Sequence, residues 1–399
     1  MPTMSSTSSC SVSSETPVCG RKPSGLYIHV PICRSKCRYC GFYSVADQGM
    51  KSPFVKALFR ELDLPLGDFG SFDTVYIGGG TPSLFHPREI EGMLQHLQKK
   101  FSIRTGSEIT IEANPGTVSP QKLAAYKALG INRINLGVQS FSDAFLGFLG
   151  RIHSGRQAAQ ALAWARRAGF QKLGCDFIIG IPGQTRQSVR QDLNRALEFS
   201  PEHVSCYMLG FEKGTPLYRA RREKRVIAMK DSEVAALFLS TVEFLEEKGY
   251  IHYEVSNFAR GSENLSRHNT KYWNDVSYLG LGPSAHSFLG KTRWWNVRSL
   301  SRYCELLDSG RPPVGGHEVL SPGQEILEAL YLGLRQAKGL RIRAFNERFS
   351  MGFDETFGKT IGLLEERGMI RKKEDALALS LSGMLYLDSI VACLASCLP

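Results

Sequence analysis

Three cysteines, Cys33, Cys37 and Cys40, stand in a C-x3-C-x2-C run directly after the apolar, strand-like segment that ends at Val30. Thiolates this close in sequence can converge on one soft metal centre, and three rather than four leave a coordination position for something other than protein. A structural zinc site normally closes with four ligands, and the other close pair, Cys393 and Cys397, lies in an apolar terminal segment that reads as helix core. A disulfide framework is expected in small chains of oxidising compartments, whereas this chain has 399 residues and ten cysteines, mostly scattered among apolar positions. The ranking that follows is an iron–sulfur cluster first, disulfides second and zinc last.

Other residues able to bind or polarise a ligand recur at the ends of apolar runs: Gly78-Gly79-Gly80-Thr81-Pro82, Glu112-Ala113-Asn114-Pro115, Gly137-Val138-Gln139-Ser140-Phe141, and Asp176 before Gly180-Ile181-Pro182-Gly183-Gln184-Thr185. A glycine run lets backbone approach a ligand with no Cβ in the way. Asp176 in an apolar strand is a buried charge that needs a partner. Further along, His268-Asn269-Thr270-Lys271-Tyr272-Trp273 joins an imidazole, a common metal ligand, to two flat aromatic rings. His286 is a second, lower-ranked candidate ligand.

The elements that must position these residues follow from periodicity. Between residue 26 and about 210, short apolar runs alternate with amphipathic helical segments, which predicts βα units and a parallel sheet. The expected strands are Leu26 to Val30, Thr74 to Ile77, Ile109 to Glu112, Ile134 to Val138, Leu173 to Ile179 and Val204 to Leu209. Helices are expected over Phe54 to Leu62, Arg88 to Phe101 and Ala158 to Ala168, and another is capped by Ser119-Pro120 and ends near Gly130. Six such units make a partial (β/α)6 barrel, and ligands then belong at the carboxyl ends of the strands, where the singled-out motifs all fall. Beyond it a helix over 232–248 and one strand from Tyr250 to Phe258 are expected, then a polar, aromatic stretch from Asn264 to Trp295. The last part reads as a smaller, mostly helical, winged-helix-like domain. The expected divisions are a disordered tail over 1–22, the barrel over 23–250, a connecting segment over 251–310 and the C-terminal domain over 311–399.

The net charge of +11 and pI near 9.2 come from dispersed basic residues, so attraction of an anionic ligand is expected rather than nucleic-acid binding. Residues 1–22 are rich in Ser and Thr, lack an apolar core and carry basic residues only at Arg21 and Lys22, which matches neither a secretory nor a mitochondrial leader. Cys10 and Cys19 there read as incidental thiols. No run of about 18 apolar residues occurs, so no membrane span is expected, and the cytoplasm is the expected compartment.

The cysteine spacing resembles that of the radical S-adenosylmethionine (SAM) superfamily. That resemblance implies a [4Fe-4S] cluster on Cys33, Cys37 and Cys40, whose fourth iron takes the amino and carboxylate groups of SAM. It also implies an electron donor to the cluster, and SAM contacts from Tyr27, Tyr39, Gly79, Gly80, Thr81, Glu112, Gln139, Arg151 and Asp176. The order of the GGGTP, GVQSF and IPGQT segments is similar to that of oxygen-independent coproporphyrinogen III oxidases and their relatives, from about residue 24 to the C-terminus and less closely after about 300. The oxidases carry a further cysteine two residues past the third, where this chain has Phe42. That departure weighs against the oxidase and its radical decarboxylation of propionates in porphyrin biosynthesis, and resembles the haem chaperones of the HemW type. Their HNxxYW motif matches His268, Asn269, Tyr272 and Trp273, implying haem binding there and a haem-requiring acceptor protein.

Overall fold

The computed structural model describes residues 22–398. The Ser- and Thr-rich tail, with Cys10 and Cys19, lies outside them except for Lys22.

The six expected strands form and alternate with helices: β1 (Ser24–Val30), α1 (Lys51–Asp63), β2 (Ser71–Gly79), α2 (Pro87–Lys100), β3 (Ser102–Ala113), α3 (Pro120–Ala128), β4 (Arg133–Gln139), α4 (Asp143–Leu149), α5 (Gly155–Arg167), β5 (Lys172–Ile179), α6 (Arg186–Leu197) and β6 (His203–Met208). They lie side by side in chain order, all parallel. The sheet does not close, as a six-unit barrel requires. Continuous apolar runs on the strands pack against the apolar stripes of the helices in one core that includes Leu26, Ile77, Ile111, Leu136, Leu173 and Val204. Ser119 caps α3 from its side chain, with Pro120 in the first turn, as its sequence predicts.

The later stretch departs from expectation. After α7 (Pro216–Arg222) and α8 (Asp231–Glu247), the single strand expected over Tyr250 to Phe258 is two short antiparallel ones, β7 (Ile251–Glu254) and β8 (Asn257–Ala259), because the chain turns at Val255-Ser256. The aromatic stretch is not irregular. It forms α9 (Arg267–Trp273), β9 (Tyr278–Leu281), β10 (His286–Leu289) and β11 (Thr292–Asn296), and after α10 (Leu300–Asp308) comes β12 (Val314–Val319). β9 pairs parallel to the free edge of β1, and β10 to β12 extend it antiparallel, giving a twelve-stranded sheet.

The C-terminal part holds α11 (Pro322–Arg335), β13 (Leu340–Arg341), α12 (Ile342–Phe349), α13 (Phe353–Glu366), β14 (Ile370–Lys373), β15 (Ala376–Leu379), α14 (Leu381–Met384) and α15 (Leu387–Ala395). β13, β15 and β14 make a small separate sheet beside the helices. Cys393 is exposed rather than in a helix core, because α15 turns Leu387, Ile390, Val391 and Leu394 inward instead. No described helix is long and apolar enough to cross a membrane.

Candidate functional site: the rim above the parallel strands

The cysteine loop leaves the carboxyl end of β1 and is held by backbone bonds at both ends and in its middle. Cys33 N–H donates to Val45 O at 2.9 Å, Val45 N–H to Pro31 O at 2.7 Å and Arg38 N–H to Leu149 O at 3.0 Å, while Arg38 O accepts from Leu217 N–H at 2.9 Å. The loop borders a cavity of about 720 Å³, within the range of small-ligand sites. Cys33, Cys37, Tyr39, Cys40, Gly79, Gly80, Thr81, Glu112, Gln139, Arg151 and Asp176 all line it. Six separate chain stretches thus meet around one cavity.

Their mutual contacts are specific. Thr81 Oγ1 donates to Cys33 Sγ at 3.6 Å, and Arg151 Nη1 to Cys37 Sγ at 3.5 Å. Arg151 follows the left-handed Gly150 that ends α4, and its Nη2 donates to Gly137 O at 2.7 Å. Glu112 accepts from the Tyr76 hydroxyl at 2.7 Å and from Gly79 N–H at 3.1 Å. Burial pushes its carboxyl up to about 7, the Tyr76 bond opposing and nearby Asp176 adding. Burial likewise raises Asp176 to about 6 against a bond from Ser205 and the Arg151 charge. Burial also raises the Cys40 thiol, with Cys37 and Cys33 contributing in the same direction.

The glycine run acts differently from its expected role. The N–H groups of Gly79, Gly80 and Thr81 already bond to Glu112, Val30 O and Ile32 O, so they are not open donors. What glycine supplies is close packing: a Cβ on Gly80 would sit 2.7 Å from Ile32 O, and one on Gly79, at φ 105°, would sit 2.6 Å from the His29 ring. Gln139 holds a left-handed φ of 66°, a backbone state uncommon for residues with a side chain.

Two groups of expected residues are placed elsewhere. Tyr27 does not line the cavity; its hydroxyl meets His29 Nδ1 at 3.0 Å, and its ring lies 6.1 Å from Tyr76. His268 is buried, with Thr74 Oγ1 2.9 Å from Nδ1 and the Tyr272 hydroxyl 2.8 Å from Nε2. Its ring stacks on Tyr76 at 5.0 Å, and burial holds its pKa down to about 3. Asn269 N–H donates to the Ser266 side chain, and Trp273 lies under the Arg335 guanidinium at 4.3 Å. The HNxxYW segment therefore packs on the concave face of the sheet at β1 and β2 and does not border the cavity.

Some lining residues went unremarked in the sequence. Asn135 and Tyr207 line the cavity, and Tyr76 supports it through Glu112. A polar residue inside the apolar run Ile134 to Val138 was the available signal for Asn135. Its Oδ1 and the Arg151 Nε are buried without a partner, polar capacity left for a ligand.

The donor set fits a [4Fe-4S] cluster with SAM: three thiols, two carboxyls able to accept from an ammonium or ribose, and a cavity of suitable size. Among the described residues no three His, Cys, Asp or Glu groups gather around a single ion, and a cluster with thiolates on separate irons needs no such convergence. When bound, the cluster would supply an electron to SAM. Arg151 would hold positive charge beside the Cys37 thiolate, and Glu112 is fixed in orientation by Tyr76 and Gly79.

Comparison with known proteins agrees with this arrangement. Residues 27–196 match the radical SAM superfamily model, and residues 320–386 match that of the HemN C-terminal domain. The chain is 32% identical over 365 residues to heme chaperone HemW of Bacillus subtilis, covering 90% of this chain and 96% of that protein. It is 34% identical over 377 residues to heme chaperone HemW of Mycobacterium tuberculosis, covering 93% and 94%. The Bos taurus protein named radical S-adenosyl methionine domain-containing protein 1, mitochondrial, is 32% identical over 403 residues, covering 96% and 89%. The structure of coproporphyrinogen III oxidase (HemN) from Escherichia coli superposes with a TM-score of 0.82 at 23% identity, over 95% of this chain and 91% of that one, a likeness of fold. The chain belongs to the radical SAM superfamily and, within it, to the family of the HemW haem chaperones.

Proposed function

We propose that the chain is a haem chaperone, which binds haem and passes it to a haem-requiring acceptor while holding a [4Fe-4S] cluster on Cys33, Cys37 and Cys40 and SAM in the cavity beside them. The observation that carries the reading is Phe42. It stands where the oxidases place a further cysteine, and its ring is 67% exposed at the cavity mouth, an apolar surface a tetrapyrrole would cover. Likeness along nine-tenths of the chain to proteins named heme chaperone supports it. The SAM contacts proposed are those that line the cavity, from Tyr39, Gly79, Gly80, Thr81, Glu112, Gln139, Arg151 and Asp176. An electron donor to the cluster completes the partners, with no nucleic acid among them. The eight described cysteines are all free thiols, which suits a reducing compartment such as the cytoplasm.

The test is anaerobic reconstitution of the cluster, loading with haem, and mixing with the haem-free form of a haem enzyme, read as recovered activity of the acceptor. Recovery is expected. Decarboxylation of coproporphyrinogen III with SAM under the same conditions, and no haem transfer, would replace this reading with the oxidase.

A further inference from the structure

An axial haem ligand needs an imidazole nitrogen with a free lone pair and an approach wide enough for a macrocycle. Of the nine histidines in the chain, His29 and His268 use both ring nitrogens within the fold, and His86, His96, His153, His203 and His252 use one each. The remaining two are His286 and His317, and they lie on opposite faces of the sheet extension. His286 pairs with Trp295 across β10 and β11, whereas His317 pairs with Trp294, on the other face of β11.

The His286 face is the concave one. Tyr27 of β1 is opposite Gly280 of β9, His286 lies beside Gly280, and Trp295 is opposite Gly316 of β12, so one cross-strand row joins them. One pair further down the same strands, Phe288 lies beneath the Arg293 guanidinium, which is tied to Glu328 of α11. α11 thus covers the lower pair and leaves the upper one open: Phe288 is buried but His286 is exposed and Trp295 half-exposed. The His286 and Trp295 ring centroids are 5.8 Å apart at 31°, and the indole lies over the bare backbone of Gly316, where a Cβ would come within 2.6 Å of it. Imidazole, indole and glycine together present a flat apolar surface with one exposed nitrogen donor.

The surface stands at the rim that carries the cysteine loop. Arg298, two residues past β11, reaches Gly41 O at 3.5 Å, next to Phe42. Arg298, Arg34 and Lys36 are exposed there, cations matched to the two carboxylates of haem. Partial burial of the ring edge against the sheet, with Arg293 adding and Glu318 opposing, lowers the His286 pKa and so favours the neutral imidazole.

We propose that haem docks on this rim of β10 to β12 with His286 as its axial ligand, one face toward Trp295 and its propionates toward Arg298 and the cysteine loop. His268 is then a positioning residue that fixes α9 against β2. The inference rests on the haem chaperone reading.

The experiment titrates haem into the reconstituted full chain and records the position and intensity of the Soret band for the parent, His286→Ala, His268→Gln and His317→Ala. Loss of a direct ligand should weaken binding at least as much as the about tenfold typical of losing an outer partner. His286→Ala should therefore lose the parent's ligated Soret band, added imidazole should restore it, and the other two variants should keep it. Unchanged ligation in His286→Ala, or loss in His268→Gln instead, overturns the inference and leaves the chaperone reading standing. Absence of haem binding by the parent overturns both.

Discussion

Gly79 lines the cavity and is also held to glycine by packing. Its φ of 105° and the His29 ring 2.6 Å from its Cβ position mean that Gly79→Ala meets both backbone strain and a clash. The substitution should lower unfolding stability by about 2 kcal/mol or more, read by denaturant titration of the cluster-free protein; an unchanged midpoint would contradict the packing described. Residues whose chemistry is local were legible in the sequence, since C-x3-C-x2-C needs only a short loop to bring its thiols to one place. Tyr27 and His268 were not, because where a ring points depends on neighbours distant in the chain. For Tyr27 the distant neighbours are Tyr76 and His268, with rings 6.1 and 6.4 Å away, and for His268 the neighbour is Thr74, 194 residues away.

At the scale of elements, α9 is fixed from beneath by a buried ion pair. Arg133 Nε donates to Glu108 Oε2 at 3.1 Å, its Nη2 donates to Asn264 O and Leu265 O, and Glu108 Oε1 accepts from His268 N–H. Both side chains are almost fully buried. Removing Arg133 leaves Glu108 only the more distant Lys172, at 3.6 Å, so Arg133→Met should cost up to about 3–5 kcal/mol and loosen α9 first, seen as faster amide exchange over 264–273. Uniform exchange across the chain would argue against that anchoring. The six parallel strands were legible because each is a continuous apolar run between helices. β9 to β12 were not: they are short, mix aromatic with polar residues, and one face of the sheet extension is left partly open, which removes the apolar signal a buried strand carries.

For the molecule as a whole, buried titratable groups set an opposed pH dependence. Burial lowers His268 to about 3 and His153 to about 4, below the unfolded value of about 6.5, so the folded state binds fewer protons and stability rises with pH up to about 6.5. Burial raises Glu61 and Glu112 to about 7, so the folded state keeps protons the unfolded chain has released; their contribution is full below about 4.3 and is lost as pH rises to about 7. The two pairs nearly cancel at about pH 5.5, so the cluster-free protein should show its highest thermal midpoint there and a decline toward about pH 7.5. A midpoint still climbing at pH 8 would sink the account. Glu61 ties α1 to the sheet extension through Asn296, Tyr303 and Gly282 N–H. Glu61→Gln should lower stability and flatten that decline.

The backbone bonds that fasten the cysteine loop to Val45, Leu149 and Leu217 also fix an order of assembly. Because they involve no thiol, the expected outcome is a fold complete without iron, with loading as insertion into a finished receptacle rather than metal-driven collapse. Chelating the iron should bleach the cluster's visible absorption while the far-ultraviolet dichroism and its cooperative thermal transition persist. A cell could then hold a stock of empty receptacles and fill them when iron and sulfide become plentiful.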